Sequence, residues 1–212
     1  MRAFLLALLP ATLLSAPGPV HSRPAPSHTA SDTLRLVVAP DGNEARYRVR
    51  EQLAHHDLPN DAVGVTHAVT GTVVLDGQGR FVPGASRVTV DVRPLQSDRS
   101  FRDRYVQGRI LETETFPSVE FAPAASAGFP AAIPAGGDFA FTVTGPLTVH
   151  GTTRPTTWQV SARTVPGGYT GTATTRFTFE DFGLNKPNVP IVLSVADTIT
   201  LEYDFHLVPA PK

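Results

Sequence analysis

Apolar and polar residues alternate with a period of two through most of the chain. From Ala45 to Leu53, the apolar Ala45, Tyr47, Val49 and Leu53 are interleaved with Arg46, Arg48, Arg50 and Gln52. Val88, Val90 and Val92 are opposed by Thr89, Asp91 and Arg93. Phe139, Phe141, Val143, Leu147 and Val149 are opposed by Thr142, Thr144, Thr148 and His150. The pattern returns with Trp158, Val160 and Ala162, then with Tyr169, Ala173, Phe177 and Phe179, and closes with Val195, Ile199, Leu201, Tyr203, Phe205 and Leu207. Half-buried antiparallel strands read this way. Turn residues separate the runs at Asp41-Gly42-Asn43, Asp76 to Gly79, Gly151 to Thr153 and Pro166 to Gly168. The expectation is an all-β fold of about eight strands, as a sandwich or a closed barrel. Gly145 falls on the apolar parity beside Pro146, which points to a bulge or sharp bend and tilts the balance towards a barrel.

One segment departs from the period. Ser97 to Leu111 offers an N-cap in Ser97, Asp98 in the first turn, and Phe101 and Tyr105 four apart on one face. It predicts one short helix stopped near Gly108. Ala122 to Gly137 is rich in Ala, Pro and Gly and reads as a loop, as does Asp181 to Pro190. Asp197 lies on the inward parity between Val195 and Ile199, where an unpaired charge is costly, and a bulge that turns it outward is the favoured reading over a polar anchor inside.

Composition narrows the function classes. The net charge of −1 gives no broad nucleic-acid footprint. The absence of cysteine excludes disulfides, thiolate metal sites and a cysteine nucleophile. Arg2, the apolar run Ala3 to Leu14, and Val20 with Ser22 read as an export signal (residues 1–22) cleaved after Ser22, with an uncleaved anchor as the competing reading. That run is shorter than the about 20 residues of a membrane span, so the mature protein is not expected to cross a bilayer. Residues 23–33 read as a Pro/Ser-rich tether, and residues 34–208 as one domain.

From Leu34 to Val208 the chain resembles the YceI-like family of secreted, lipocalin-like proteins. Four stretches carry the resemblance. They are ARYRVREQL followed by AVGVTHAVTGTVVLD, the run from Ser86 to Pro123 with its Arg-Asp helix and the Phe116-Pro117 to Phe121 step, the hairpin FTVTGPLTVHGTTRPTTWQV, and the closing strands from Phe177 to Val208. The resemblance implies an eight-stranded antiparallel lipocalin-like barrel with an elongated apolar tunnel. It further implies a long-chain isoprenoid or other amphipathic lipid as partner, a periplasmic or secreted location, and in some members a homodimer. It carries no catalytic motif, no cofactor and no metal.

Alternation aims Tyr47, Val49, Val90, Phe141, Val143, Trp158, Phe177, Phe179, Leu201, Tyr203 and Phe205 inward. By alternation alone they pack against one another; with the resemblance they line a tunnel and become the candidate ligand-binding set. Gly145 and Gly171 on the same parity would leave room inside. Phe101 and Tyr105 on the helix form a lid or wall, or equally a plug. Arg46, Arg48 and Arg50, and Arg99, Arg102, Arg104 and Arg109 around the helix, read first as solvated faces and second as partners of a lipid phosphate. His55, His56, His67 and His150 lack ligand spacing, so no metal is expected. Asp181-Phe182-Gly183 resembles a kinase tripeptide without the accompanying loops, and Ser86 and Ser118 sit in no nucleophile motif. The leading expectation is a carrier of an apolar chain with no chemistry of its own. The alternative is a ligand-free barrel that serves the envelope as a structural or protein-interaction module.

The signal-like start yields a first test. N-terminal sequencing of the exported protein should begin at Arg23, and recovery of Met1 in the envelope fraction would refute processing.

Overall fold

The structure, a computed structural model, describes residues 33–54 and 57–211. The export segment, the tether up to Asp32, and His55 with His56 lie outside the described residues. Along the chain run β1 (Leu34–Val38), β2 (Glu44–Leu53), β3 (Asn60–Thr66), β4 (Val69–Leu75), β5 (Arg87–Asp91) and β6 (Gln96–Ser97). A helix, α1 (Ser100–Tyr105), follows with a π-helical turn, Val106–Ile110. Then come β7 (Ser118–Phe121), β8 (Ala125–Ala127), β9 (Asp138–Val149), β10 (Thr152–Val165), β11 (Gly168–Thr178) and β12 (Val192–Pro209).

These strands make eight staves, because the first four are each broken in two: β1 with β2, β3 with β4, β5 with β6 and β7 with β8. Every stave is antiparallel to the next in sequence. The last strand, β12, pairs with β11 along one edge and with β1 and β2 along the other, so the sheet closes as an eight-stranded antiparallel barrel. Closure removes the exposed edges that would otherwise template aggregation.

The break between β1 and β2 is where closure is hardest, since ladder hydrogen bonds lapse there. Asn43 replaces them. Its buried amide donates to the carbonyls of Ala39 (2.8 Å) and Asp41 (3.2 Å). Its Oδ1 accepts from the Tyr203 hydroxyl (2.8 Å) and from the His206 N–H (3.0 Å) on β12. The Asp41-Gly42-Asn43 signal is therefore a bend inside one stave and not a hairpin turn. The His150-Gly151 pair is a true two-residue hairpin, with φ of 48° and 71° at its two positions.

Several local expectations need correction. Ser97 is not the helix cap: it lies in β6, accepts the Arg99 N–H (3.2 Å) and donates to the Asp103 carboxylate (2.6 Å). The helix starts at Ser100, which puts Asp98 outside its first turn, and the helical path continues past Gly108 as the π turn to Ile110. Gly145 sits opposite a bulge and not in one: β9 and β10 stay in register through Gly145 and Thr156, while the register with β7 and β8 slips by one residue between Leu147 and Thr144. It is a close approach, where a Cβ would sit 2.2 Å from the Ala122 carbonyl. Gly171 leaves no room either, because the Phe205 ring and the Ser161 carbonyl occupy the place of a Cβ. The loop from Ala122 to Gly137 contains β8, which pairs with β9. Asp197 does lie at a register shift, between Val195 and Ile199, and is exposed 4.0 Å from Lys186, as the bulge reading required.

The outward arginines form a charge ladder. Arg46 bonds Glu202 (3.0 Å), Asp204 (2.7 Å) and Glu44, while Arg48 bonds Glu202 (3.0 Å) and Asp61 (3.2 Å). Hydrogen bonding to Arg48 and Arg46 holds the Glu202 carboxyl below its usual range, and Arg50 with Arg48 does the same for Asp61. A carboxyl with a depressed folded-state pKa contributes stability above its unfolded pKa and loses it as pH falls.

Three outcomes follow. Asn43→Ala should lower unfolding free energy by about 2–4 kcal/mol, since it orphans several buried groups at once. Gly171→Val should cost about 3 kcal/mol by overpacking against backbone. Chemical denaturation midpoints should drop between about pH 5 and pH 3, and the drop should be shallower in Arg48→Ala, which takes one of two arginine partners from each of Glu202 and Asp61.

Candidate functional site

The inward faces of the staves enclose a single long cavity of about 960 Å³. It runs from Phe81, Phe129 and Phe139 at one end of the barrel to α1 and the segment before β12 at the other. All the residues expected to face inward line it. Tyr47 and Val49 come from β2, Val90 from β5, Phe141 and Val143 from β9, and Trp158 from β10. Phe177 and Phe179 come from the end of β11 and the residue after it, and Leu201, Tyr203 and Phe205 from β12. The helix adds Phe101 and Tyr105 to the lining at one end.

Each wall residue is held by its neighbours. Trp158 is buried, its ring lies 5.4 Å from that of Phe121, and its indole N–H donates to the Thr156 hydroxyl at 3.2 Å. The indole thus meets its polar requirement within its own strand and presents an apolar face to the cavity. Tyr47 lies directly over its cross-strand partner Gly64, where any Cβ would be 2.2 Å from the ring. Glycine there allows the ring to lie flat along the wall. Burial pushes the Tyr47 and Tyr203 hydroxyls well above their ordinary pKa, so both stay neutral donors across the physiological range.

The two ends differ. At the far end, Phe129 from the Ala122 to Gly137 segment packs edge-on against Phe141 (4.8 Å) and Phe139 (6.2 Å) and narrows the barrel. At the helix end, the lining residues that are exposed gather: Asp98, Arg99, Ser100 and Phe101 on one side, Pro190 and Ile191 on the other. The cavity therefore opens beside α1. Just inside this mouth, Glu51 on β2 bonds Arg102 on α1 at 2.5 Å, and both side chains are nearly buried. Arg102 also bonds Asp98 and the Ser97 hydroxyl (3.3 Å). Burial works against its charge, but the Glu51 and Asp98 carboxylates outweigh that and raise its pKa.

Three sets of contributors escaped the alternation argument. Glu51 lies on the same parity as Tyr47 and Val49, so the period itself placed a carboxylate inside, a signal present in the sequence. Phe129 and Ile133 sit in a segment without period, and no sequence signal aims them at the cavity. Pro187, Val189 and Pro190, from the second aperiodic segment, complete the mouth. The Asp181-Phe182-Gly183 tripeptide is structural: Phe182 is fully buried 4.5 Å from Phe177, and Gly183 takes φ of 65° to end the turn. No group of three or more metal-ligating side chains occurs among the described residues.

Solved structures share this fold. A polyisoprenoid binding domain from Saccharophagus degradans, implicated in plant cell wall breakdown, superposes with a TM-score of 0.63 at 12% identity, covering 84% of this chain and 99% of that one. BcnA of Burkholderia cenocepacia is similar at a TM-score of 0.57 and 22% identity, covering 79% and 96%. The YCEI protein of Campylobacter jejuni follows at 0.55 and 15%, covering 76% and 91%. Among curated protein sequences none matches the chain significantly. A family model described as the YceI-like domain matches residues 38–207, which is most of the sequence and nearly the whole barrel. On that match, the chain belongs to the YceI-like family.

Proposed function

We propose that the protein binds and carries, or sequesters, an apolar chain-like ligand, an isoprenoid or another lipid, in the cell envelope, and performs no chemistry on it. The observation that carries this reading is the cavity. An interior filled by its own side chains keeps few voids larger than a water, whose share of volume is about 30 Å³. About 960 Å³, walled by Val, Leu, Ile and aromatic side chains, is far outside that range and matches the size of small-molecule sites.

Wall chemistry selects the ligand class. Each methylene moved from water onto such walls gains roughly 0.8 kcal/mol, so a five-carbon prenyl unit contributes about 3–4 kcal/mol before ordering costs. Two or three units in contact along the barrel then give useful affinity without a single hydrogen bond. Polar groups that could meet a head group are confined to the mouth, where Asp98, Arg99 and Ser100 stand. A solved relative of this fold described as a polyisoprenoid binding domain supports the same class. The export-like start supports a periplasmic or secreted setting, and no helix among the described residues is long and apolar enough to cross a membrane.

Trp158, the only tryptophan, reports on occupancy. In protein stripped of lipid its emission should be blue-shifted from that of free tryptophan, and a long prenyl alcohol should change it saturably. Trp158→Phe should retain binding, measured by extraction and mass spectrometry, and lose the optical response. If no apolar chain shifts the emission and organic extraction of native protein yields none, the barrel is an interaction module and the carrier reading fails.

A further inference from the structure

The described residues contain four exposed large apolar side chains: Leu58 (76% exposed), Leu193 (65%), Phe101 (58%) and Ile191 (47%). All four lie at the same end of the barrel, around the mouth of the cavity. Leu58 follows β2, Phe101 opens α1, and Ile191 and Leu193 flank the start of β12. Hydrogen bonds tie these elements together there, from the Ala54 N–H to the Ile191 carbonyl (2.8 Å) and from Arg102 to Glu51. Leu193 is pushed outward by the register shift between Val192 and Ser194. Phe101 and Ile191 are at once exposed and part of the cavity lining, so the external apolar ring is continuous with the internal apolar wall.

We infer that this ring is a docking surface for a lipid bilayer, and that the barrel stands mouth-down on the membrane surface to exchange its ligand. The occupant is argued from the ring's shape and charge. Leu58, Phe101 and the Ile191–Leu193 pair project from three separate segments around an opening, the arrangement of an apolar rim that enters the acyl boundary. A second copy of the chain would need a continuous complementary face of about 1,200 Å² or more in total, and it would close the opening that the ring surrounds. Charges nearby pair with opposite signs, Arg50 with Asp61 (3.1 Å), Arg99 with Asp98 (3.5 Å) and Lys186 with Asp197 (4.0 Å). The exposed Asp57 beside Leu58 and Arg104 on α1 are also of opposite sign, so the rim carries no excess of positive charge. Attachment is therefore by apolar insertion and not by attraction to anionic lipid. Direct contact lets an apolar chain pass from acyl tails to Phe101 and the inner wall without crossing water. This inference rests on the carrier reading for its purpose, and its test is independent of it.

The cysteine-free chain makes the experiment direct. In the full chain, single variants Leu58→Cys and Leu193→Cys, neither of which lines the cavity, receive an environment-sensitive fluorophore. Gln78→Cys, exposed between β4 and β5 at the opposite end, is the control. On addition of phosphatidylcholine vesicles, the labels at positions 58 and 193 should shift to the blue while the label at 78 does not. The shift should persist in about 0.5 M salt and need no anionic lipid. No shift at 58 and 193, or equal shifts at all three positions, would overturn the inference even if the apolar N-terminal segment holds the chain to the vesicle. A shift that requires phosphatidylglycerol and disappears in salt would also overturn it. So would a blue shift at 58 and 193 that appears without vesicles and grows with protein concentration, which would assign the ring to a second copy. Trp158 titration with prenyl alcohol in vesicle-free solution reads the cavity separately. Saturable binding there with unshifted mouth labels rejects the docking surface and leaves the carrier reading standing. Shifted labels without prenyl binding do the reverse.

Discussion

Everything in this molecule depends on β12 meeting two strands at once. A barrel is free of edges only if its last strand pairs with its first, and here the first stave is broken between β1 and β2. Pairing must cross that break without leaving buried N–H and carbonyl groups unsatisfied, each of which would cost about 1–3 kcal/mol. Asn43 meets the requirement because an amide carries donors and an acceptor on one short side chain. It holds the bend to itself through Ala39 and Asp41 and holds β12 to the bend through Tyr203 and His206. Tyr203 thereby belongs to both the closure and the cavity wall, so seam and interior are fixed by one bond.

Bending also creates the interior. Four staves broken in two follow a curve that straight strands of the same length would not, and side chains beside the breaks, Leu36, Ala45, Val92 and Leu95 among them, still line the cavity. Close packing is kept within the wall, where Tyr47 covers Gly64 and Phe205 covers Gly171. Aromatic rings lying along the wall use their area to seal it and leave the axis open. Phe129 narrows one end, and the exposed lining residues gather at the other, beside α1.

How much of this was legible depends on the period. Where strands alternate cleanly, as in β9, β10 and β12, the sequence placed Phe141, Trp158, Leu201 and Phe205 on the side they occupy, because a half-buried strand has only two faces. Glu51 was legible in principle, but a carboxylate on an apolar parity looks like an interruption until its partner, Arg102, is known to lie beyond the end of the strand. The glycines misled for a related reason. An inward glycine suggests free space, whereas a neighbouring ring or backbone fills it, and only the cross-strand register says which. Phe129, Ile133 and the Pro187 to Ile191 segment have no period, so their place at the two ends of the cavity is set by tertiary contacts alone.

The Glu51–Arg102 pair poses a physical question of its own, since an ion pair this buried stabilises little relative to an apolar pair of the same shape. Its value lies in position. It links the only α-helix among the described residues to the top of β2, next to the opening, and no apolar contact would fix the helix in one orientation as a bonded guanidinium does. Arg102 is further held by Asp98 and Ser97, and Ser97 by Asp103, so the start of α1 is tied at several points while Phe101, one residue away, stays exposed. Polar bonds thus set the frame of the mouth and leave its apolar side chains free of partners within the chain. A barrel whose walls are apolar throughout would have two equivalent ends; the buried pair, together with the narrowing at Phe129, gives this one a direction.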